Sequence, residues 1–195
     1  MNTKRFLSGI LLIALAAGGC SSASARRFPS IMPAPYEEQQ EIEKTMVSAD
    51  SLVQLTANAN WYDSSDEAVG ESYDLTIGHQ KYNPYIGVQS TPKADNPAMS
   101  VELFSSIAQE MPQTVLGDDI QVTQTSLTQV KGQPAVQYEA HGTMLDLPVV
   151  MLTTAVETAD YHHLIVSVFI ENEYEQQQEE IHQIIGSFQE VAQAE

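Results

Sequence analysis

The chain has 195 residues, 8 lysines and arginines against 26 acids, one cysteine and a formal net charge of −18. Its 43% apolar content is that of a globular protein and excludes wholesale disorder. The acidity argues against nucleic acid, whose binders need a basic patch to displace counterions, and one cysteine excludes a disulfide-stapled scaffold.

Residues 1–19 read as a targeting segment. Lys4 and Arg5 form a short positive region, and the apolar run from Phe6 to Ala17 is broken only by Ser8 and Gly9. That run falls short of the ~20 residues a membrane-spanning helix needs, which is the layout of a secretory signal. No later stretch approaches that length. Leu15-Ala16-Ala17-Gly18-Gly19-Cys20 resembles the lipobox of bacterial lipoproteins, with Ala17 standing where leucine is usual. The resemblance implies lipid on the Cys20 thiol, cleavage just before it and acylation of the new amino group. The plainer alternative is an ordinary signal followed by a stray cysteine. Lipidation accounts for an unpaired cysteine in an exported chain, and at ~0.8 kcal/mol per buried CH₂ several acyl chains anchor it stably. Loss of Lys4 and Arg5 takes the net charge to about −20. Ser21, rather than aspartate, follows the cysteine. By the same resemblance that directs a Gram-negative lipoprotein to the periplasmic face of the outer membrane.

Residues 20–36 are rich in Ser, Ala and Pro and read as a flexible tether carrying Arg26 and Arg27. Good helix formers with early acids predict a weakly amphipathic helix over 37–50, its stripe supplied by Ile42, Met46 and Val47. A domain over 51–188 follows. Strands are predicted at 52–56, 73–77 and 85–89, with a loop over 60–67. Asn96-Pro97 predicts a helix start, Val101, Phe104, Ile107, Ala108 and Met111 its apolar face, and Pro112 its end. Strands over 120–130, 135–140 and 148–157 come next, with a bend or bulge at His141-Gly142. The strand 162–170 is apolar on both faces, Leu164, Val166, Val168 and Ile170 on one and Ile165 and Phe169 on the other. It should therefore be central and covered from both sides. Asn172 and Glu175 resemble a capping box before a last helix with Tyr174, Ile181, Ile184 and Ile185 on one stripe. Gly186 suits its C-terminal cap, Phe188 folds back onto the core, and 189–195 is a tail. About six to seven strands and helices on the sheet faces make an α+β fold with a mainly antiparallel sheet.

The order of Asn60-Trp61, Asp74-Leu75-Thr76-Ile77, Asn83-Pro84-Tyr85-Ile86-Gly87-Val88, the turn Val130 to Tyr138, Tyr161 to Ser167 and Ile184 to Phe188 is similar to the PsbP-like fold. That fold occurs in photosystem II extrinsic proteins and in DcrB-like bacterial lipoproteins. The resemblance covers about 51–188 and implies an α/β/α sandwich. Its members serve as assembly factors, extrinsic subunits and envelope lipoproteins, generally as non-catalytic modules.

The chemistry-bearing residues point the same way. The five histidines His79, His141, His162, His163 and His182 show no H-x-x-x-H or H-E-x-x-H spacing, and the cysteine is taken by lipid. His162 and His163 are adjacent on a strand and should face opposite ways. The acids from Asp63 to Glu67 lack the pattern of a calcium loop. No G-x-S-x-G elbow or phosphate loop exists, and Ser187 has no evident base. We therefore expect no catalytic residue, no metal and no cofactor. Trp61 is expected to pack at the sheet edge; the weaker alternative is that Trp61 and Tyr62 line a binding surface. The expected function is that of a lipid-anchored, non-catalytic envelope lipoprotein for protein interaction, assembly or envelope maintenance. Its partners are the membrane, through acyl chains on Cys20, and a protein with a basic patch. A small-ligand- or metal-binding periplasmic lipoprotein is the alternative.

Overall fold

A computed structural model describes residues 43–66, 73–82, 84–117 and 120–191. The expected signal segment, Cys20 and tether lie outside the described residues, as do 37–42 of the expected helix and 192–195 of the tail. The strands are β1 (Lys44–Val47), β2 (Val53–Ala57), β3 (Trp61–Asp63), β4 (Leu75–His79), β5 (Tyr85–Pro92), β6 (Gln121–Gln124), β7 (Gln129–Val130), β8 (Gln133–Met144), β9 (Leu147–Glu157), β10 (Tyr161–Ile170) and β11 (Gln189–Glu190). The helices are α1 (Val101–Leu116) and α2 (Glu171–Gly186).

The main sheet runs β3-β4-β5-β10-β9-β8-β6, antiparallel throughout, and β7 pairs with the start of β8. A second sheet, β1-β2-β11, lies with α2 on one face, and α1 covers the other. The doubly apolar β10 sits between β5 and β9, buried from His162 to Phe169. Leu164, Val166 and Val168 pack with Phe104 and Ala108 of α1. Ile165 and Phe169 pack with Trp61, Ile181, Ile185 and Phe188 on the α2 side. One sheet thus separates two cores, each large side chain within them contributing about 1.5–3 kcal/mol by burial.

Several local expectations are corrected. Lys44–Val47 is a strand, not a helix: Met46 alone turns inward, and the segment pairs with β2 from Lys44↔Ala57 to Val47↔Gln54. At the other end Gln189 and Glu190 pair with Gln54 and Val53, so the domain extends beyond 188. The loop expected at 60–67 holds β3. The strand expected over 120–130 is two, interrupted after Gln124, where the Thr125 N–H still donates to the Gln137 carbonyl and Thr125 Oγ1 donates to Gln137 Oε1 before the chain rejoins β8 as β7. β8 runs straight through His141-Gly142 and turns only at Leu145-Asp146, where both residues have positive φ (51° and 64°). Gly142 is needed for approach rather than bending: a Cβ there would lie 3.1 Å from Leu116 and Ile120.

Helix α1 begins at Val101 with Ser100 as its cap, its side chain accepting from the Leu103 N–H, four residues later than Asn96-Pro97 suggests. It also passes through Pro112. A proline offers no N–H to the carbonyl four residues back, here Ala108. That carbonyl instead accepts Thr153 Oγ1 of β9 at 2.6 Å, a fully buried bond. Thr153→Val keeps the shape and orphans the carbonyl. It should cost about 1–3 kcal/mol in chemical denaturation, whereas an unchanged midpoint would show that the bond does not support the helix. Helix α2 starts at Glu171, so Asn172 lies inside it, and Gly186 is its last residue. Its predicted stripe of Tyr174, Ile181, Ile184 and Ile185 is buried, with Gln177 among them. Phe188 is 1% exposed.

Candidate functional site

His162 and His163 leave β10 on opposite faces. His162 stacks on Phe104 with centroids 4.9 Å apart. His163 is fully buried on the other side. Its Nδ1 lies 3.0 Å from Ser90 Oγ, and its Nε2 lies 3.2 Å from Glu190 Oε2 and 3.3 Å from Thr158 Oγ1. Burial pushes its pKa below the usual histidine value, opposed by the Glu190 hydrogen bond. Sequence inspection found no serine–histidine–carboxylate chain, and the fold makes one. Its members are 73 and 27 residues apart, so spacing could not announce it. Ser90 and His163 are direct cross-strand partners, and Tyr161 and Phe188 pack around the imidazole. With no exposed surface on the ring, a substrate atom reaches neither nitrogen in this arrangement. The chain of bonds ties β11 to the main sheet.

The remaining polar candidates are likewise tied into the fold. His79 Nδ1 accepts the N–H groups of Lys81 and Tyr82. His141 bridges Glu171 (2.9 Å) and Glu139 (3.0 Å), and those hydrogen bonds, Glu171 first, raise its pKa. His182 lies 3.4 Å from the Tyr174 hydroxyl. Asp63 and Asp74 accept backbone N–H groups of Ser65 and Ser90. Ser187 Oγ bonds the carbonyls of Thr56 and Ile184. Among the described residues no group of three His, Cys, Asp or Glu is placed to hold a metal ion.

Trp61 is not a binding surface. It is 1% exposed, edge-on to His79 at 5.3 Å, and its indole Nε1 donates to Glu180 Oε1 at 2.6 Å. Tyr62, half-buried beside it, lies over Gly78. What Trp61 does is fix Glu180, whose same oxygen also accepts Asn58 Nδ2 at 2.6 Å. Glu180 lies on a cleft of 440 Å³ between α2 and β2, and Gln177 stands on the same cleft. This is the strongest candidate site the fold assembles. Its residues come from positions 43–58 and 176–187. The signal for it was the glutamine on the apolar stripe of α2, four residues before Ile181, where the helical period demands a core side chain.

No family model matches the chain, and no curated protein matches it. Solved structures do. LpqN of Mycobacterium tuberculosis, described as involved in cell envelope biogenesis, superposes with a TM-score of 0.52 at 13% identity, over 78% of this chain and 92% of that one. Cyanobacterial PsbP from Synechocystis gives 0.52 at 9% identity, over 89% and 98%. The fold is PsbP-like. The yeast Ran-binding protein Mog1p from Saccharomyces cerevisiae also shares it, with a TM-score of 0.54 at 11% identity over 77% of this chain and 96% of that one. At these identities the likeness is one of PsbP-like architecture, met in proteins of different tasks.

Proposed function

We propose that the chain is a lipid-anchored, non-catalytic cell-envelope lipoprotein, acting as a protein-interaction module in envelope assembly or maintenance. The observation that carries this reading is the PsbP-like fold shared with LpqN, a protein of cell envelope biogenesis, together with a lipobox-like leader over 1–19 followed by Cys20. The closed surroundings of His163 support a role without catalysis. Among the described residues no helix is long and apolar enough to cross a membrane. Ser21 favours the outer membrane in a Gram-negative cell.

The partner is a protein presenting a basic patch. A mature charge of about −20 steers cationic surfaces towards the domain and repels anionic lipid and nucleic acid. Crosslinking in cells, followed by identification of the co-purifying proteins, tests the reading. An envelope protein should be captured, and its association with the purified chain should weaken sharply between low and physiological ionic strength, where exposed charges are screened beyond ~8 Å. Association indifferent to salt would remove charge from recognition. Capture of no envelope protein would remove the function.

A further inference from the structure

We infer that the tip of the β8–β9 hairpin, carrying Leu145 and Leu147, docks the domain onto the surface of a neutral phospholipid bilayer. That a bilayer is at hand rests on the lipid-anchored reading. The shape and chemistry of the tip do not.

Two-residue turns close both ends of β8, one between Val130↔Gln133 and one between Met144↔Leu147. Both central residues of each turn have positive φ, 49° and 82° at Lys131-Gly132 and 51° and 64° at Leu145-Asp146. Such turns favour glycine, asparagine and aspartate, because the left-handed region crowds other side chains against their own backbone. The first turn is built in that ordinary way, with a glycine beside a lysine. The second places a leucine in the strained position and leaves it 66% exposed, with Leu147 36% exposed beside it. A strained leucine that stands mostly in water adds little to the core. Strain of this kind gathers where a side chain is used.

The tip also stands clear of the sheet. The last pairs that its flanking strands make are Gln121↔His141 on one side and Val149↔Ile170 on the other. At ~3.4 Å per residue, Leu147 and Leu145 project about 7–10 Å past the second pair.

What covers the tip follows from where the anchor joins the fold. The chain from Cys20 enters the first strand at Lys44, which pairs with Ala57 at the end of β2. From there the register leads across one end of the main sheet, through Trp61↔His79, Gly78↔Tyr85, Tyr85↔Val168 and Val168↔Met151. Anchor and apolar tip therefore share an end, and Lys131-Gly132 lies at the other. An anchored chain meets its bilayer intramolecularly, so two leucines, too few to hold a free protein, suffice to dock a tethered one. Asp146 at the apex and Glu171 at the base disfavour an anionic surface and leave a neutral one.

Coupling Cys20, the only cysteine, to a maleimide-bearing phospholipid anchors the full-length chain whether or not cells acylate it. The tip is thus tested apart from the lipoprotein reading. Trp61, the only tryptophan, donates energy to dansyl-labelled head groups in phosphatidylcholine vesicles. Leu145→Asn combined with Leu147→Ser should lower that transfer about twofold or more, as the domain drifts away on its tether. Leu103→Ser removes a leucine that is 51% exposed in the first turn of α1, the helix end remote from Gly142, and should leave transfer unaltered. Leu145→Asn alone should keep or raise Tm, because asparagine tolerates the left-handed region. Equal transfer in the parent and the double variant, the result for a tip made to enter a protein pocket, would overturn the proposal. So would an equal fall with Leu103→Ser, a lower Tm for Leu145→Asn, or higher transfer on phosphatidylglycerol vesicles.

Discussion

Trp61→Ala should destabilise the domain by about 3–5 kcal/mol, the range for emptying a large aromatic site in a packed core. The ring is 1% exposed within the cluster formed by Leu75, Ile77, Ile86, Phe169 and Ile181. Two losses combine: the apolar contacts of the indole, and one of the two donors that hold Glu180. Trp61→Phe separates them. It keeps most of the volume and removes the N–H, so a cost of about 1–3 kcal/mol is expected. Urea unfolding followed by circular dichroism reads both variants. Equal midpoints for Trp61→Ala and the parent chain would mean that the residue lies at the surface, contrary to the structure.

Cys20→Ala should move the protein almost completely from the membrane fraction to the soluble fraction and leave the leader uncleaved or cleaved elsewhere. The reasoning is energetic. Two or three acyl chains, at ~0.8 kcal/mol for each buried CH₂, hold far more strongly than the tether arginines, worth about 1 kcal/mol each beside anionic head groups. The acidic domain adds repulsion rather than adhesion. Fractionation with immunoblotting, and mass spectrometry of the mature N-terminus, measure the outcome. A variant that stays membrane-bound at the parent's mature size would show that lipid on Cys20 is not the anchor.

Much of the architecture was legible in local pattern. The double apolar alternation of 162–170 placed β10 in the middle of the sheet, and the spacing of Tyr174, Ile181, Ile184 and Ile185 set the buried face of α2. What escaped depends on partners distant in sequence. Pro112 is a helix breaker by local rules, and Thr153, 41 positions further on, is what lets α1 continue. Lys44–Val47 carries helix-forming neighbours and becomes a strand because β2 offers it an edge. Leu145-Asp146 lacks the glycine or asparagine that advertises a tight hairpin, so local pattern does not announce the turn there. Packing of Trp61 at the sheet edge is legible from its place in the sequence, but the carboxylate that takes its indole N–H lies 119 residues away and is not. The cleft itself joins the two ends of the domain, and no motif spans such a gap.

The pairing of β2 with β11 bears on the proposed export. Gln54 and Gln189 meet across 135 residues, and the Thr56 N–H donates to Ser187 Oγ beside them. During synthesis β2 therefore stays without one of its flanking strands until almost the whole domain has left the ribosome. Contacts of such long sequence separation pay their loop-closure entropy before they return any stability, which delays closure. A chain that closes late remains threadable for longer, the state that a translocation channel for unfolded polypeptides accepts.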